Sequence, residues 1–449
     1  MAKEVYVVHC IDTEGPLNET LEATFERLEE IFGLKIEVSL ENLRKLQNGE
    51  YPIEESLKEK VKQLISPQRL EMNRTWHDIE NMLEEINTEN YRNILKDSKG
   101  NGWVYNWFCM DHVGFNQINP RHRDTGYHNV FDFYKLISHQ NKKDLVQFHF
   151  HPVAMKGDCN IAGTSYLATD TLYDILVHKV IDRKWFPSAY RPGFHSERPD
   201  SNWFLEQWIP FDYANQSKKG NVENQPDLSN GRWGYWDNAI SEWRTYHPSI
   251  RNYQEEGDCK RYISRCLNMN ARLREIELAD VEEAFKRANE GKTTVLSFCD
   301  HDFRDMRPDI ERVRSFIEQV SKKYPDVKFF YENAVNAVRK EKDIVLSEPN
   351  ISAKITKNGK VALLEVSCEN CFGVQPFLAL KTVCGQYYWQ NFDFTQHKNK
   401  FLFTFDINTF DIKVIETIGI ACNSDSGVAE ILLIYPQENY RQEVHKYNN

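Results

Sequence analysis

Two short segments carry side chains whose types and spacing could do chemistry. The apolar run VYVVHCI near the N-terminus ends in Asp12-Thr13-Glu14-Gly15-Pro16, and a later run reads Gln147-Phe148-His149-Phe150-His151-Pro152. In an extended chain, residues i and i+2 point to the same side. The first segment therefore offers two carboxylates on one face, and the second offers two imidazoles with aromatic rings on the opposite face. Paired imidazoles with a carboxylate suit Zn²⁺ or another borderline divalent ion and leave a coordination position for water. The plainer alternative is one satisfied core histidine and one exposed one. Two such pairs, each at the end of an apolar strand, favour a metal site, because a parallel barrel gathers those strand ends at one rim.

The elements that must position these residues follow from periodicity. Residues 4–11 form a buried parallel-type strand. The next stretch, about residues 17–100, reads as a helical insertion. LEATFERLEEIFG is closed by Gly33, SLENLRKLQNG is opened by Ser39 and stopped by Gly49, and residues 54–65 and 76–97 are amphipathic. Strands are expected at 103–112, 143–152, 186–194, 208–216, 293–302 and 326–333, with helices at 127–139, 168–182, 199–207, 279–289 and 308–323. That alternation means parallel βα units. Residues 217–255 are polar and aperiodic and read as a long loop or lid. From about residue 345 the strand-like segments ISAKIT, VALLEVS, FLALKTV, FLFTFDI, KVIETIGIA and AEILLIY succeed one another with turns between, which reads as a small β-sandwich. The expected organisation is a catalytic α/β unit over 1–342 and a β-sandwich module over 343–449.

Composition narrows the function classes. A length of 449 residues exceeds one ordinary core, and 41% hydrophobic with 13% aromatic residues describes a folded chain. A formal net charge of -11 argues against nucleic acid as a partner, since Lys and Arg must replace its counterions. No run of about 18 apolar residues is present, so no membrane span is expected. The short apolar run at the N-terminus passes directly into acids, which does not resemble a signal peptide, and the expected location is the cytoplasm. The ten cysteines are then expected to be mostly reduced core residues. Cys368 and Cys371 form a CxxC, with Cys384 nearby, but no second close pair accompanies them, so two thiols at a strand turn are expected.

The ordered set of motifs resembles the polysaccharide deacetylase superfamily, the NodB-like deformed (β/α) barrels. Asp12-Thr13-Glu14-Gly15 stands where that family has Asp-Asp-Gly, and His149-Phe150-His151 stands where it has two histidines three residues apart. Tyr190-Arg191-Pro192-Gly193-Phe194 matches its Arg-Pro-aromatic motif, Asp212 in IPFDYANQ falls at its late acidic strand, and His301 after LSFCD fits its last motif. The resemblance covers about residues 4–340. It implies a divalent metal, zinc above all, held by His149 and His151 with an acid. It implies that one of Asp12 and Glu14 is the general base and the other a ligand, with the assignment open. Arg191 would hold the base carboxylate ionised, and His301 would protonate the leaving group. The bland alternatives are an ordinary buried ion pair for Arg191 and a structural histidine for His301.

Asp111, His112, Tyr190, Phe194 and Trp236 are candidates for lining a substrate pocket. Trp185, Phe186, Tyr190, Trp203, Trp208, Trp233, Trp236 and Trp243 crowd the middle of the chain, where they could stack on sugar rings or simply fill the core. His122, His128 and His195 could line a polar cleft. The resemblance implies removal of an acyl group, N-acetyl first, from a sugar or sugar-containing metabolite. The alternative is a non-catalytic relative that binds a glycan or a protein, in line with the departures Asp-Thr-Glu and HxH. A third option is attack on a C–N bond outside a sugar, such as a cyclic amide. The sandwich could bind carbohydrate or support a homo-oligomer.

Overall fold

On the first strand Val5, Val7 and Ile11 alternate with Tyr6, Val8 and Cys10, and both sets are buried. A strand apolar on both faces belongs between two packed layers. The computed structural model describes residues 3–448 other than 115–118, 120, 156, 158–161, 220–233 and 271–273. In it β1 (Glu4–Thr13) is followed by β2 (Tyr105–Met110), β3 (Leu145–Phe150), β4 (Ala189–Pro192), β5 (Phe211–Asn215), the ribbon β6 (Pro248–Ser249) and β7 (Asn252–Glu256), β8 (Tyr262–Asn268), β9 (Thr294–His301) and β10 (Lys328–Tyr331). Strands β1, β2, β3, β4, β5, β8 and β9 pair in that order, all parallel, and β9 pairs back onto β1 from Val5↔Thr294 to Asp12↔His301. The result is a closed seven-stranded barrel. One edge of β1 is shared: residues 4–7 pair with β10 and residues 9–13 with β2.

The barrel interior is narrow and filled largely by small residues. Val8, Cys10, Phe108, Ala189, Tyr213, Cys266 and Cys299 belong to one buried cluster. Residues two positions further along three of these strands are Asp12 after Cys10, Arg191 after Ala189 and His301 after Cys299. The polar layer thus sits on the apolar one at the carboxyl end of the barrel, as the two-residue period requires. Outward residues of the same strands, such as Ile11, Trp107, Phe148 and Phe150, join the main core. There they meet the helices α7 (Asn129–Ser138), α8 (Thr171–Arg183), α9 (Pro199–Trp208), α10 (Leu278–Asn289) and α11 (Arg307–Lys323).

The segment between β1 and β2 contains α1 (Leu21–Phe32), α2 (Leu40–Asn48), α3 (Glu55–Leu64), α4 (Pro67–Leu70), α5 (Trp76–Ile86) and α6 (Glu89–Arg92). Its caps are those the sequence indicates. Gly33 and Gly49 close α1 and α2 in the left-handed conformation, and Ser39 accepts a hydrogen bond from the Asn42 amide. The first helices build a core of their own from Phe25, Leu28, Leu46, Val61, Leu64 and Ile65. By contrast Ile79, Met82, Leu83 and Ile86 of α5 pack into the main core. Helix α5 is therefore the ordinary crossover from β1 to β2, and the true insertion is shorter than the expected 17–100, ending before Trp76.

Two elements that complete the barrel went unrecognised in the sequence, besides shorter or peripheral ones. Strand β8 (YISRCLN) is interrupted by Arg265, which is buried because it lies over the Trp243 ring at 4.2 Å and pairs with Asp280 at 3.3 Å. Helix α12 (Ala334–Glu341) is capped by Asn333, and its Ala334, Val335, Ala337 and Val338 join the barrel-interior cluster. The expected lid at 217–255 resolves in part into the β6–β7 ribbon; residues 220–233, Trp233 among them, lie outside the described residues.

The C-terminal strands are β11 (Ile351–Asn358), β12 (Val361–Cys368), β13 (Phe377–Thr382), β14 (Tyr387–Gln390), β15 (Asp393–Phe394), β16 (Lys400–Phe405), β17 (Ile415–Asn423), β18 (Val428–Tyr435) and β19 (Arg441–Asn448). They form two antiparallel sheets, β11-β12-β16-β15 and β14-β13-β17-β18-β19. Leu364, Phe403, Leu380, Ile420 and Leu432 fill the space between them. The second sheet is apolar on both faces. Its Phe377, Ala379, Ala421, Ile431 and Leu433 belong to the same core as the barrel helices. At Gly419 an added Cβ would stand 2.6 Å from Val180 Cγ1 of α8, so β17 lies directly on that helix. Among the described residues no helix is long and apolar enough to cross a membrane.

Candidate metal and active site

Asp12 is the last inward residue of β1, and its register partner on β9 is His301. The Arg191 guanidinium clamps it from β4, with Nε 2.6 Å from Oδ1 and Nη2 3.1 Å from Oδ2, while Nη1 donates to the Tyr213 carbonyl at 2.6 Å. Both side chains are almost fully buried. Burial pushes the Asp12 carboxyl up, but Arg191 and His149 outweigh it and hold the group well below the usual carboxylate range. Cys299 donates its thiol to Asp12 Oδ2 at 3.2 Å. His301 Nε2 stands 4.0 Å from the same oxygen, and burial lowers this imidazole to about 4, so it is neutral near pH 7.

Glu14 lies one step beyond the strand end and turns to a different set of partners. Its Oε1 is 3.4 Å from His151 Nε2 and 3.8 Å from His149 Nε2, and the two Nε2 atoms are 3.0 Å apart. These three atoms form a compact triangle of donors. Tetrahedral ligands at about 2.0–2.1 Å from a zinc ion stand about 3.3–3.4 Å from one another, which is the mean edge of this triangle. The orientation of each donor is fixed from behind. His149 Nδ1 donates to the Arg191 carbonyl at 3.0 Å, which leaves Nε2 facing inward. Glu14 Oε2 is taken by Arg123 Nη1, so Oε1 alone turns to the histidines. Burial alone would lower the His149 imidazole, yet Asp12 and Glu14 raise it, while burial dominates at His151 and lowers it. The two Nε2 atoms thus face each other beside Glu14 Oε1, while Arg123 and Arg191 pair with the Glu14 and Asp12 carboxylates.

The local chain explains why these motifs have their form. The Asp302 carboxylate accepts the Glu14 amide at 2.8 Å, the Gly15 amide at 2.9 Å and the Tyr134 hydroxyl at 2.9 Å. It fixes the turn that carries Glu14, and Gly15 permits that turn with a φ of +74°. His112 Nε2 lies 2.8 Å from the Glu14 carbonyl oxygen. In the Arg-Pro-Gly-Phe segment, an added Cβ on Gly193 would stand 2.1 Å from the His151 ring, so only glycine leaves room for that imidazole. The Phe194 ring meets the His151 ring edge-on at 4.7 Å.

The structure brings Asp12, Glu14, His149, His151, Arg191 and His301 together. Glu14 Oε1 faces the Nε2 atoms of both histidines, and Asp12 faces Arg191, His301 and, at 3.6 Å, His149 Nδ1. Two of the expected pocket residues are corrected. The Asp111 carboxylate is spent on Lys179, at 2.8–2.9 Å, and on the His128 amide, with both charged groups buried. Tyr190, one residue from Arg191, points to the opposite side of the sheet and shares its hydroxyl with Tyr166 at 2.8 Å. Trp236 is buried and donates to the His195 carbonyl at 2.8 Å, so it braces the loop after β4. Asp212 pairs with Arg261 deep in the barrel wall beside Glu197.

Sequence reasoning passed over Arg123, Asp302 and Cys299, and it left His195 as a general cleft candidate. Burial and Arg191 hold the His195 imidazole well below its usual range, which places it within the electrostatic reach of the Asp12–Arg191 pair. Asp302 had a signal, since it is the second acid flanking His301. Arg123 had none, because its partner lies 109 residues away. No family model, no curated protein and no solved structure matches this chain.

Proposed function

We propose that the chain is a metal-dependent hydrolase that removes an acyl group, N-acetyl in the first instance, from a sugar or a sugar-containing metabolite. One observation carries the reading: an ionised carboxylate, Asp12, is clamped by Arg191 beside a Glu14–His149–His151 donor triangle, with a neutral imidazole, His301, 4.0 Å away across the same strand pair. The two histidines and Glu14 would hold the ion, and zinc fits the mixed nitrogen and oxygen donors. When bound, such an ion polarises an acyl oxygen and lowers the pKa of water.

The residues of the chain supply the proton traffic. Asp12 is ionised and takes a proton as the water oxygen bonds to the acyl carbon. Asp12 passes that proton to the neutral His301 ring, 4.0 Å away. Collapse breaks the C–N bond with its electron pair going to nitrogen, and the imidazolium so formed gives its proton to that nitrogen, which restores both groups. Arg191 keeps Asp12 in position and ionised throughout. The four closely spaced charged groups are shielded from bulk water, so each counts for more than it would at the surface.

The test is acetate release from a panel of N-acetylated amino sugars and their nucleotide-linked forms, with zinc, cobalt or manganese added. In Asp12→Asn we expect kcat to fall roughly 10²–10⁴-fold with metal stoichiometry unchanged, the range for loss of a general base. Full activity in Asp12→Asn would overturn its role. Absence of hydrolysis across the panel, in a protein that holds its metal, would favour the glycan-binding alternative.

A further inference from the structure

The CxxC of the β module is joined by a third thiol that lies far away in sequence. Cys368 ends β12, Cys371 follows in the next bend, and Cys422 comes from β17; their sulfur atoms all lie within 4.8 Å of one another. We propose that Cys368, Cys371 and Cys422 form a second metal site, for a thiophilic ion such as zinc, and that this ion ties together the two sandwich segments that contact the barrel.

Three features carry the assignment. The first is geometry. Sulfurs bound at about 2.3 Å to one ion stand about 3.8–4.0 Å apart, and this trio needs only small side-chain adjustments from the Cys371–Cys422 separation of 3.2 Å. The second is ligand readiness. Cys422 donates its S–H to Cys371, so the two sulfurs already face each other. Three converging cysteine sulfurs are the donor set that soft ions select. Cys368 and Cys422 are buried and Cys371 is part-exposed, so an ion has a way in and a solvent-side position for a fourth ligand.

The third feature is location. The trio lies on the seam between the two halves of the molecule. Lys260 of the barrel donates to the Phe372 carbonyl at 3.0 Å. At Gly373 an added Cβ would stand 1.5 Å from the Gln207 carbonyl oxygen at the end of α9, so this bend is pressed onto the barrel backbone. Asn423, next to Cys422, donates to the Pro187 carbonyl at 2.7 Å and to the Trp208 carbonyl at 2.8 Å, and accepts from the Ser188 hydroxyl at 2.9 Å. The Phe372 amide donates to the Asn423 carbonyl at 2.8 Å, which links the bend to the strand. An ion holding Cys371 to Cys422 would lock both contact segments at once. It would add its binding free energy to the folded state alone.

The full-length chain carrying His149→Ala and His151→Ala isolates this site from the barrel site. After loading with zinc and dialysis, elemental analysis should find about one equivalent, as expected for a single thiolate site. Titration of the same protein with cadmium should give thiolate-to-metal absorption. Adding Cys371→Ser and Cys422→Ser should abolish both signals. In the otherwise native protein, the two serine changes should remove this equivalent and leave the barrel equivalent, so each site is scored by itself. A labelling experiment on the wild type covers the case in which the serine variants fold poorly. Cys371 should resist a thiol reagent until a chelator is added, while the exposed Cys384 reacts at once. No zinc and no cadmium absorption in the histidine variant would overturn the proposal. So would a Cys371–Cys422 disulfide in the purified protein, or Cys371 labelling that a chelator does not change.

Discussion

Two clusters in this molecule offer two imidazoles and a carboxylate at comparable distances, and only one of them is arranged to accept a cation. In the barrel, His149 and His151 turn their Nε2 atoms toward each other, and around them Asp12 is paired with Arg191 and Glu14 with Arg123. Beside α8, Asp182 Oδ2 accepts from His178 at 2.8 Å and from His128 at 3.3 Å, while its Oδ1 accepts from the Tyr387 hydroxyl at 2.7 Å. The Lys179 ammonium stands 3.1 Å from the remaining nitrogen of His128, and the His178 ring is stacked between Tyr127 and Tyr387. The second cluster has the right atoms, yet both His128 nitrogens and both Asp182 oxygens already have partners. Buried cations adjoin both clusters, so donor type is a poor guide alone; what separates the two is whether lone pairs remain uncommitted.

Three perturbations sharpen this contrast. The largest effect is expected from His149→Ala with His151→Ala, which should remove the barrel metal and reduce hydrolysis to background. The matched pair His128→Ala and His178→Ala should leave the metal content measured by elemental analysis unchanged. Equal metal loss in both proteins would erase the distinction. Next comes Lys179→Met. It strips the partner from Asp111 with both groups about 1% exposed, and loss of one partner of a buried pair costs about 3–5 kcal/mol, readable from the urea midpoint. A change within about 0.5 kcal/mol, the range of a surface substitution, would show that the pair is dispensable.

The smallest effect is a pH slope. Burial raises the Asp182 carboxyl, but the hydrogen bonds from His128, His178 and Tyr387 hold it well below its ordinary value. A depressed folded-state pKa gives stability that is present above the unfolded value, about 3.9, and is lost as pH falls below it. Urea unfolding between pH 5 and pH 3, a window set about that value, should show a steeper loss in the wild type than in Asp182→Asn. Parallel curves would remove Asp182 from the ledger of acid stability.

The contrast also shows which features could be read from the chain. The two-residue period of β1 and β3 was enough to place Asp12 with Glu14, and His149 with His151, at the barrel rim. The same period shows why the interior below them is lined by Cys10 and Ala189. Strand β8 was hidden because Arg265 is paid for by Trp243 and Asp280, partners that no local pattern reveals. Asp111 and Tyr190 were misplaced for a related reason: residue type marked them as polar or sugar-facing, while their partners Lys179 and Tyr166 lie on other elements. The different partners of Asp12 and Glu14, Arg191 for the one and Arg123 for the other, come from remote segments and show only in three dimensions.

The central strands β13, β17 and β18 of the second sheet are buried on both faces. Phe377, Ala421 and Leu433 face the barrel helices, and Leu378, Ile420 and Leu432 face the sandwich partner. A chain cut at residue 342 would leave the apolar surface around Val180 and Ile181 of α8 open to water, and a freed sandwich would expose the opposite half of the same contact. Neither piece is thus a portable module. The barrel and the C-terminal strands are expected to melt together, as one cooperative unit with a single heat-absorption peak.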